Sequence, residues 1–256
     1  MKRITVYILT FLALCGLLTS CRESVPAVSD GFGRDPDSTH VNLGVPSDKT
    51  EAPEKHVTTI CVDPGHGFGD VGTTSEYLGD WAEKDVTLSI SVMLKEELEN
   101  RGYRVHMLHD GQTIPENALD DGNDLFRPTE RIEAARNADI DYYVSVHCDS
   151  YAADSSVRGT RVYYAKGTSF TKKSKAAAND IMDAINAQLP DAKKTRVIEK
   201  DYEDAYYVIR EAPVPSSLIE VGFVTNPTDA ANMLDEEWRR SIARGIAAGI
   251  DAFFAE

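Results

Sequence analysis

From Thr58 onward, short apolar runs alternate with longer segments whose apolar residues recur every three or four positions, and this alternation confines the chain to an α/β fold. Predicted strands are Thr58 to Val62, Tyr103 to Leu108, Tyr142 to His147, Thr160 to Tyr164, Ala205 to Ile209 and Ser217 to Val221. Predicted helices are Glu83 to Asn100, Pro128 to Arg136, Ser169 to Gln188, Pro227 to Leu234 and Glu236 to Phe254. In the first helix Val86, Ile90, Met93, Leu94 and Leu98 keep the 3.6-residue period, and Gly102 ends it. Strands separated by helices pair mostly in parallel and bury both faces. The expectation is therefore a single domain with a mostly parallel twisted sheet of about six strands and helices on both faces. Asp110 to Phe126 and Pro190 to Asp204 lack a regular pattern and read as loops.

Chemistry-bearing residues gather at the ends of these elements. His66 lies in Asp63-Pro64-Gly65-His66-Gly67, where Pro and Gly force a loop at a strand's C-terminal end. In open α/β sheets ligands bind at that edge. His147 closes another apolar strand, and Glu83 opens a helix. Two imidazoles and one carboxylate leave zinc a fourth position for water, the pattern of a catalytic site. Glu220 is a lone carboxylate among Leu218, Ile219, Val221 and Phe223, costly to bury unless paired or poised for chemistry, and it suits a general base. Asp63 is a candidate to orient His66 by accepting its other ring N–H.

Four blocks of the chain, over roughly Thr58 to Phe254, resemble the zinc-dependent N-acetylmuramoyl-L-alanine amidases often called amidase 3. The blocks are Ile60 to Gly67, Glu83 to Val86, Val144 to His147, and Pro215 to Pro227. The resemblance implies one zinc ion held by His66, Glu83 and His147, with Glu220 as catalytic residue. It implies a hydrolase that cuts the amide between N-acetylmuramic acid and the L-alanine of the stem peptide by zinc-activated water. Arg131 and Arg210 also match family positions and are expected to bind substrate, while Asn226 before Pro227 reads as a helix cap. Phe68, Arg136 and Asp149 depart from the family pattern and bear on substrate contacts. Some relatives carry an extra helical plug after the strand corresponding to Thr160 to Tyr164; here one helix and a polar loop fill the interval, so an open site is expected. Two other readings fit the same residues: a catalytically silent peptidoglycan-binding lipoprotein, and a zinc peptidase cutting within the stem.

The N-terminal segment reads differently. Lys2 and Arg3 precede the apolar run Ile4 to Leu18, a signal for export, and Leu18-Thr19-Ser20-Cys21 resembles a bacterial lipobox. Residues 1–20 are thus expected to be a lipoprotein signal peptide, with lipidation at Cys21. Residues 21–56 form a polar linker reaching roughly 30 to 35 Å as a flexible coil, and residues 57–256 form the catalytic domain. The 256-residue chain carries a formal charge of −15, which argues against a nucleic-acid partner. The expected partners are peptidoglycan and, through the lipid anchor at Cys21, a membrane of the bacterial envelope; a monomer is expected. Cys61 and Cys148, the cysteines left to the folded domain, read as small buried residues rather than a disulfide or metal ligands.

Overall fold

The computed structural model describes residues 56–116, 118, 122–189 and 195–255. The signal peptide, Cys21 and all of the linker except His56 lie outside them. His56, assigned to the linker, already belongs to the fold, since its Nε2 sits 2.9 Å from Asp141 Oδ2.

Six strands form one sheet: β1 (Thr59–Pro64), β2 (Arg104–Met107), β3 (Tyr142–Asp149), β4 (Arg161–Ala165), β5 (Arg196–Lys200) and β6 (Ser216–Phe223), in the order β2-β1-β3-β6-β4-β5. The pairs β1–β2, β1–β3 and β3–β6 are parallel, β4 runs antiparallel to β6, and β5 runs parallel to β4. The starts of β4 and β5 therefore lie at the same edge as the ends of β1, β3 and β6.

Alternation along the strands sorts side chains to two cores. Ile60, Val62, Tyr142, Val144, Val146, Val162 and Ile219 enter one, beneath α1 (Glu83–Asn100), α3 (Thr171–Gln188) and α6 (Glu236–Ala255). Cys61, Tyr143, Tyr163 and Leu218 enter the other, beneath α2 (Pro128–Asn137) and α4 (Tyr207–Arg210). Cys61 and Cys148 are both free and buried, and they belong to opposite cores.

Local chemistry fixes the helix ends nearest the site. Asp85 accepts from the backbone N–H of Ala82 at 2.8 Å, and the acidic first turn of α1 suits the positive end of the helix. Val86, Ile90, Leu94 and Leu98 of α1 are fully buried, each side chain contributing about 1.5–3 kcal/mol. α5 (Pro227–Leu234) opens as expected, with Asn226 accepting from Thr228 and Asp229 N–H and Pro227 in the first turn. α6 approaches α3 closely because it presents glycine: a Cβ on Gly249 would stand 2.2 Å from Ile181 Cα.

Two assignments from the sequence are corrected. Ala205 to Ile209, expected as a strand, contains the start of the short helix α4, preceded by a single turn at Tyr202–Asp204. The missing strand is β5, which falls inside the stretch from Pro190 to Asp204 that read as loop. β5 is an edge strand with Arg196 and Glu199 exposed and none of its residues fully buried, so it never shows a long apolar run.

Candidate active site

The loop after β1 turns sharply, with His66 at φ 63° and Phe68 at φ 54°, a conformation that non-glycine residues adopt only when their surroundings hold them. Here the surroundings do. Gly65 N–H donates to Val146 O at 2.8 Å, and Thr87 of α1 donates to Gly65 O at 2.7 Å. Arg131 of α2 donates to Pro64 O at 2.7 Å and also to His66 O and Phe126 O. His109 packs under the loop with its Nε2 2.9 Å from Pro64 O. A Cβ on Gly65 would fall 2.5 Å from the His147 ring, so this position must be glycine for β1 and β3 to present their histidines side by side.

His66, Glu83 and His147 converge at this edge, each offering a ligand atom within 4.8 Å of the others. Glu83, 2 % exposed, places Oε1 at 3.1 Å from His66 Nε2 and 3.0 Å from His147 Nδ1. The same oxygen accepts from Cys148 N–H at 2.9 Å, while Oε2 accepts from Thr73 N–H at 2.8 Å. The two imidazole rings meet edge to face, 4.9 Å between centroids. Burial alone would raise the Glu83 carboxyl, but hydrogen bonds from both histidines outweigh it and hold the group well below the usual carboxylate range. Burial alone would lower His66; Glu83 and then Asp70 overcome it and lift the imidazolium to about 9. Protons and a cation thus compete for one cluster. Two nitrogens, one carboxylate oxygen and a fully engaged second carboxylate oxygen form a donor set suited to zinc.

Glu220 lies directly opposite His147 in the β3–β6 register, just before the register shift that breaks this pair between His147 and Asp149. It is 5 % exposed, and its Oε2 is buried with no hydrogen-bond partner. Burial pushes its carboxyl up to about 7, with Asp149 and Glu83 adding to the rise and His147 opposing it. A buried carboxylate with one oxygen unpaired, beside the cluster, has the properties of a proton acceptor rather than of a structural group. Beside the two histidines opens a cleft of about 150 Å³, lined among others by His66, His147, Phe126, Tyr206 and Tyr207.

Residues 60–252 match the family model described as N-acetylmuramoyl-L-alanine amidase. The chain belongs to this amidase family. Among relatives, it is 32 % identical over 219 residues to the probable cell wall amidase LytH of Staphylococcus saprophyticus, covering 85 % of this chain. It is 30 % identical over 220 residues to the LytH of Staphylococcus epidermidis. The chain spans 66 % and 65 % of the lengths of these two relatives. Among solved structures, the amidase domain resembles the N-acetylmuramoyl-L-alanine amidase AmiC2 of Nostoc punctiforme at a TM-score of 0.65 and 26 % identity, over 78 % of this chain and 98 % of that one. An N-acetylmuramoyl-L-alanine amidase from Clostridium difficile 630 gives 0.68 and 25 %, over 79 % and 99 %.

Within the amidase domain, three expected roles change. Asp63 does not orient His66; it is fully buried and accepts from Arg131, from Tyr143 at 2.6 Å and from Ser145 at 2.7 Å. Burial would raise its carboxyl, yet the Arg131 charge and these hydrogen bonds hold it low. The partner of His66 is Asp70, whose Oδ2 lies 2.8 Å from Nδ1. A carboxylate only accepts, so the Nδ1 proton stays there and Nε2 faces the cluster. Arg131, expected to grip substrate, lines the cleft but is 5 % exposed and donates to Asp63 and three backbone carbonyls, which makes it a brace for the loop. Arg210 stands at the end of α4 against Tyr202 and Tyr207, outside the cleft lining.

Two site residues escaped the sequence reading. Asp70 sits in a polar loop with nothing to mark it. Tyr206 borders the cleft, meets Tyr163 edge to face at 5.3 Å and hydrogen-bonds Glu220, which together with burial pushes its phenol up. An aromatic pair, Tyr206-Tyr207, inside an apolar run was the only available signal.

Proposed function

We propose that the domain hydrolyses the amide joining the lactyl group of N-acetylmuramic acid to the first L-alanine of the peptidoglycan stem, with His66, Glu83 and His147 holding one zinc ion. The observation that carries this reading is the convergence of two imidazoles and a buried carboxylate beside Glu220, a second buried carboxylate with an unsatisfied oxygen. Bound there, zinc would polarise the scissile carbonyl and make a water acidic enough to attack at neutral pH.

The chain's own residues divide the remaining work. Asp70 keeps the Nδ1 proton of His66 in place, so that Nε2 carries the free electron pair. Glu83 is held by Cys148 and Thr73 N–H groups and cannot swing away. Glu220, with its carboxyl near 7, is ionised in a large fraction of molecules at working pH. It takes the proton of the attacking water and returns it to the departing nitrogen, which leaves readily only once protonated. Tyr206 donates its hydroxyl to the carboxylate and favours its charged form. Arg131 and Asp63, joined across the base of the loop, keep the β1 end rigid.

Support for the wall as substrate comes from the family and from the names of the LytH relatives. The retained ligand set and base speak against a silent binding protein. α3, which fills the interval between β4 and β5, packs on α6 in the core opposite the one beneath α2 and α4, which supports a cleft open without an activator. Export through the signal at residues 1–20 and attachment by lipid at Cys21 complete the proposal; the export signal and the polar linker support it. Mass analysis of a peptidoglycan digest tests the reaction. Intact stem peptides with a free alanine amino terminus are expected; peptides shortened within the stem would establish a peptidase instead.

A further inference from the structure

Beyond the zinc cluster, the sheet carries a second chemical feature at the same edge. His147 pairs in register with Glu220, Glu220 with Arg161, and Arg161 with Arg196. These four residues form one row across β3, β6, β4 and β5. They share a face, because Tyr143, Leu218, Tyr163 and Ile198, each an even number of positions away, all belong to the same core. With strands about 4.8 Å apart, Arg196 stands roughly 10 Å from the base along the row.

Two arginines directly opposite each other repel. Arg161 is compensated: its Nη1 donates to Asp149 Oδ2 at 2.8 Å, and its guanidinium lies 4.4 Å over the Phe223 ring. Arg196 makes no side-chain ion pair among the described residues, and neither does Arg158, half-buried on the loop before β4. Arg158, Arg161 and Arg196 line one cavity of about 340 Å³ together with the hydroxyl residues Ser156 and Thr195, and among the described residues no acidic side chain lines it. Three guanidiniums gathered in one hollow, in a chain of formal charge −15, form a cradle for an anion.

We propose that this cavity is a carboxylate subsite that receives an acidic group of the peptide to be cleaved, two to three residues beyond the scissile amide. The proposal rests on the amidase reading for its substrate. An extended peptide advances about 3.3 Å per residue, so roughly three residues span the row from Glu220 to Arg196. A peptide leaving the base along β6, β4 and β5 thus delivers a free carboxylate to Arg158 and Arg196, while Arg161, already engaged by Asp149, contributes field rather than a new hydrogen bond. Arg196 and Arg158 then select stems bearing a carboxylate at that point over stems in which it is amidated.

Calorimetric binding to the full chain carrying Glu220→Gln separates this subsite from turnover. The probes are a muramyl tripeptide whose third residue ends in a free carboxylate and the same peptide with that carboxylate as the carboxamide. The acid should bind about fivefold more tightly, as expected for partly solvated charge pairs. The difference should shrink as salt is raised. Arg196→Gln in the same background should narrow the preference by weakening the acid more than the carboxamide, and Arg196 is exposed, so the fold should tolerate the change. Equal affinity for acid and carboxamide, weakening of both alike by Arg196→Gln, or no binding of either would overturn the subsite. Failure of the wild-type chain to release stems from glycan would instead remove the amidase reading, and leaves the acid-versus-carboxamide comparison to be decided on its own.

Discussion

Replacing Glu220 with glutamine should stabilise the zinc-free protein while abolishing turnover. Folding raises this carboxyl from 4.5 to about 7, chiefly because burial disfavours the charged form. At about 1.4 kcal/mol for each pH unit of displacement, the ionised native carboxylate costs the fold about 3 kcal/mol at neutral pH and above. The sign follows from the direction of the shift: with the folded value above the unfolded one, full stability exists below pH 4.5 and is lost as pH rises through about 7. Glutamine keeps the shape and carries no charge, so the loss should vanish. Urea unfolding of both proteins with a chelator present, from pH 4 to pH 8, measures the gap between them. Near pH 4 the two should be equally stable, and by pH 8 the variant should lead by about 3 kcal/mol. A gap that does not change with pH, or a wild type that is the more stable at pH 8, would refute the claim that Glu220 is a strained, poised base.

Three further substitutions probe the supports of the cluster. Asp70→Asn removes the carboxylate from His66 Nδ1 and should weaken zinc affinity about 10- to 100-fold in competition with a chromophoric chelator, without a comparable loss of stability. Gly65→Ala puts a methyl group 2.5 Å from the His147 ring; zinc binding should fall sharply while circular dichroism still reports a folded sheet. Arg131→Ala leaves Asp63 buried and unpaired and should cost about 3–5 kcal/mol in denaturant unfolding, far more than an exposed substrate-binding arginine would.

Much of the candidate site was legible because its residues are out of place. A histidine ending an apolar strand and a glutamate within one carry a desolvation cost that packing alone does not explain, which is why His147 and Glu220 stood out. The boundaries of α1 and α5 were legible for a different reason: Asn226-Pro227 and the acidic turn at Glu83 and Asp85 are local signals read by the first few N–H groups of each helix. What failed was non-local. Arg131 and Asp63 are 68 positions apart, and nothing in either segment announces that they pair, so a buried brace looked like a free substrate contact. Ala205 to Ile209 has the composition of a strand, but the turn at Tyr202–Asp204 redirects it, and Val208 and Ile209 bury themselves as part of a helix against β4 and β6. β5 hid for the opposite reason, since an edge strand needs few apolar residues. Its discovery matters most for function, because β5 brings Arg196 into line with the base.

Metal content tests the central claim most directly. After exhaustive dialysis against limiting zinc, mass spectrometry should find one zinc ion per wild-type chain. One ion should also remain in Glu220→Gln, and His66→Ala, Glu83→Ala and His147→Ala should each bind far less. Undiminished zinc in any of those three variants, or none in the wild type, would contradict a single ion held by His66, Glu83 and His147.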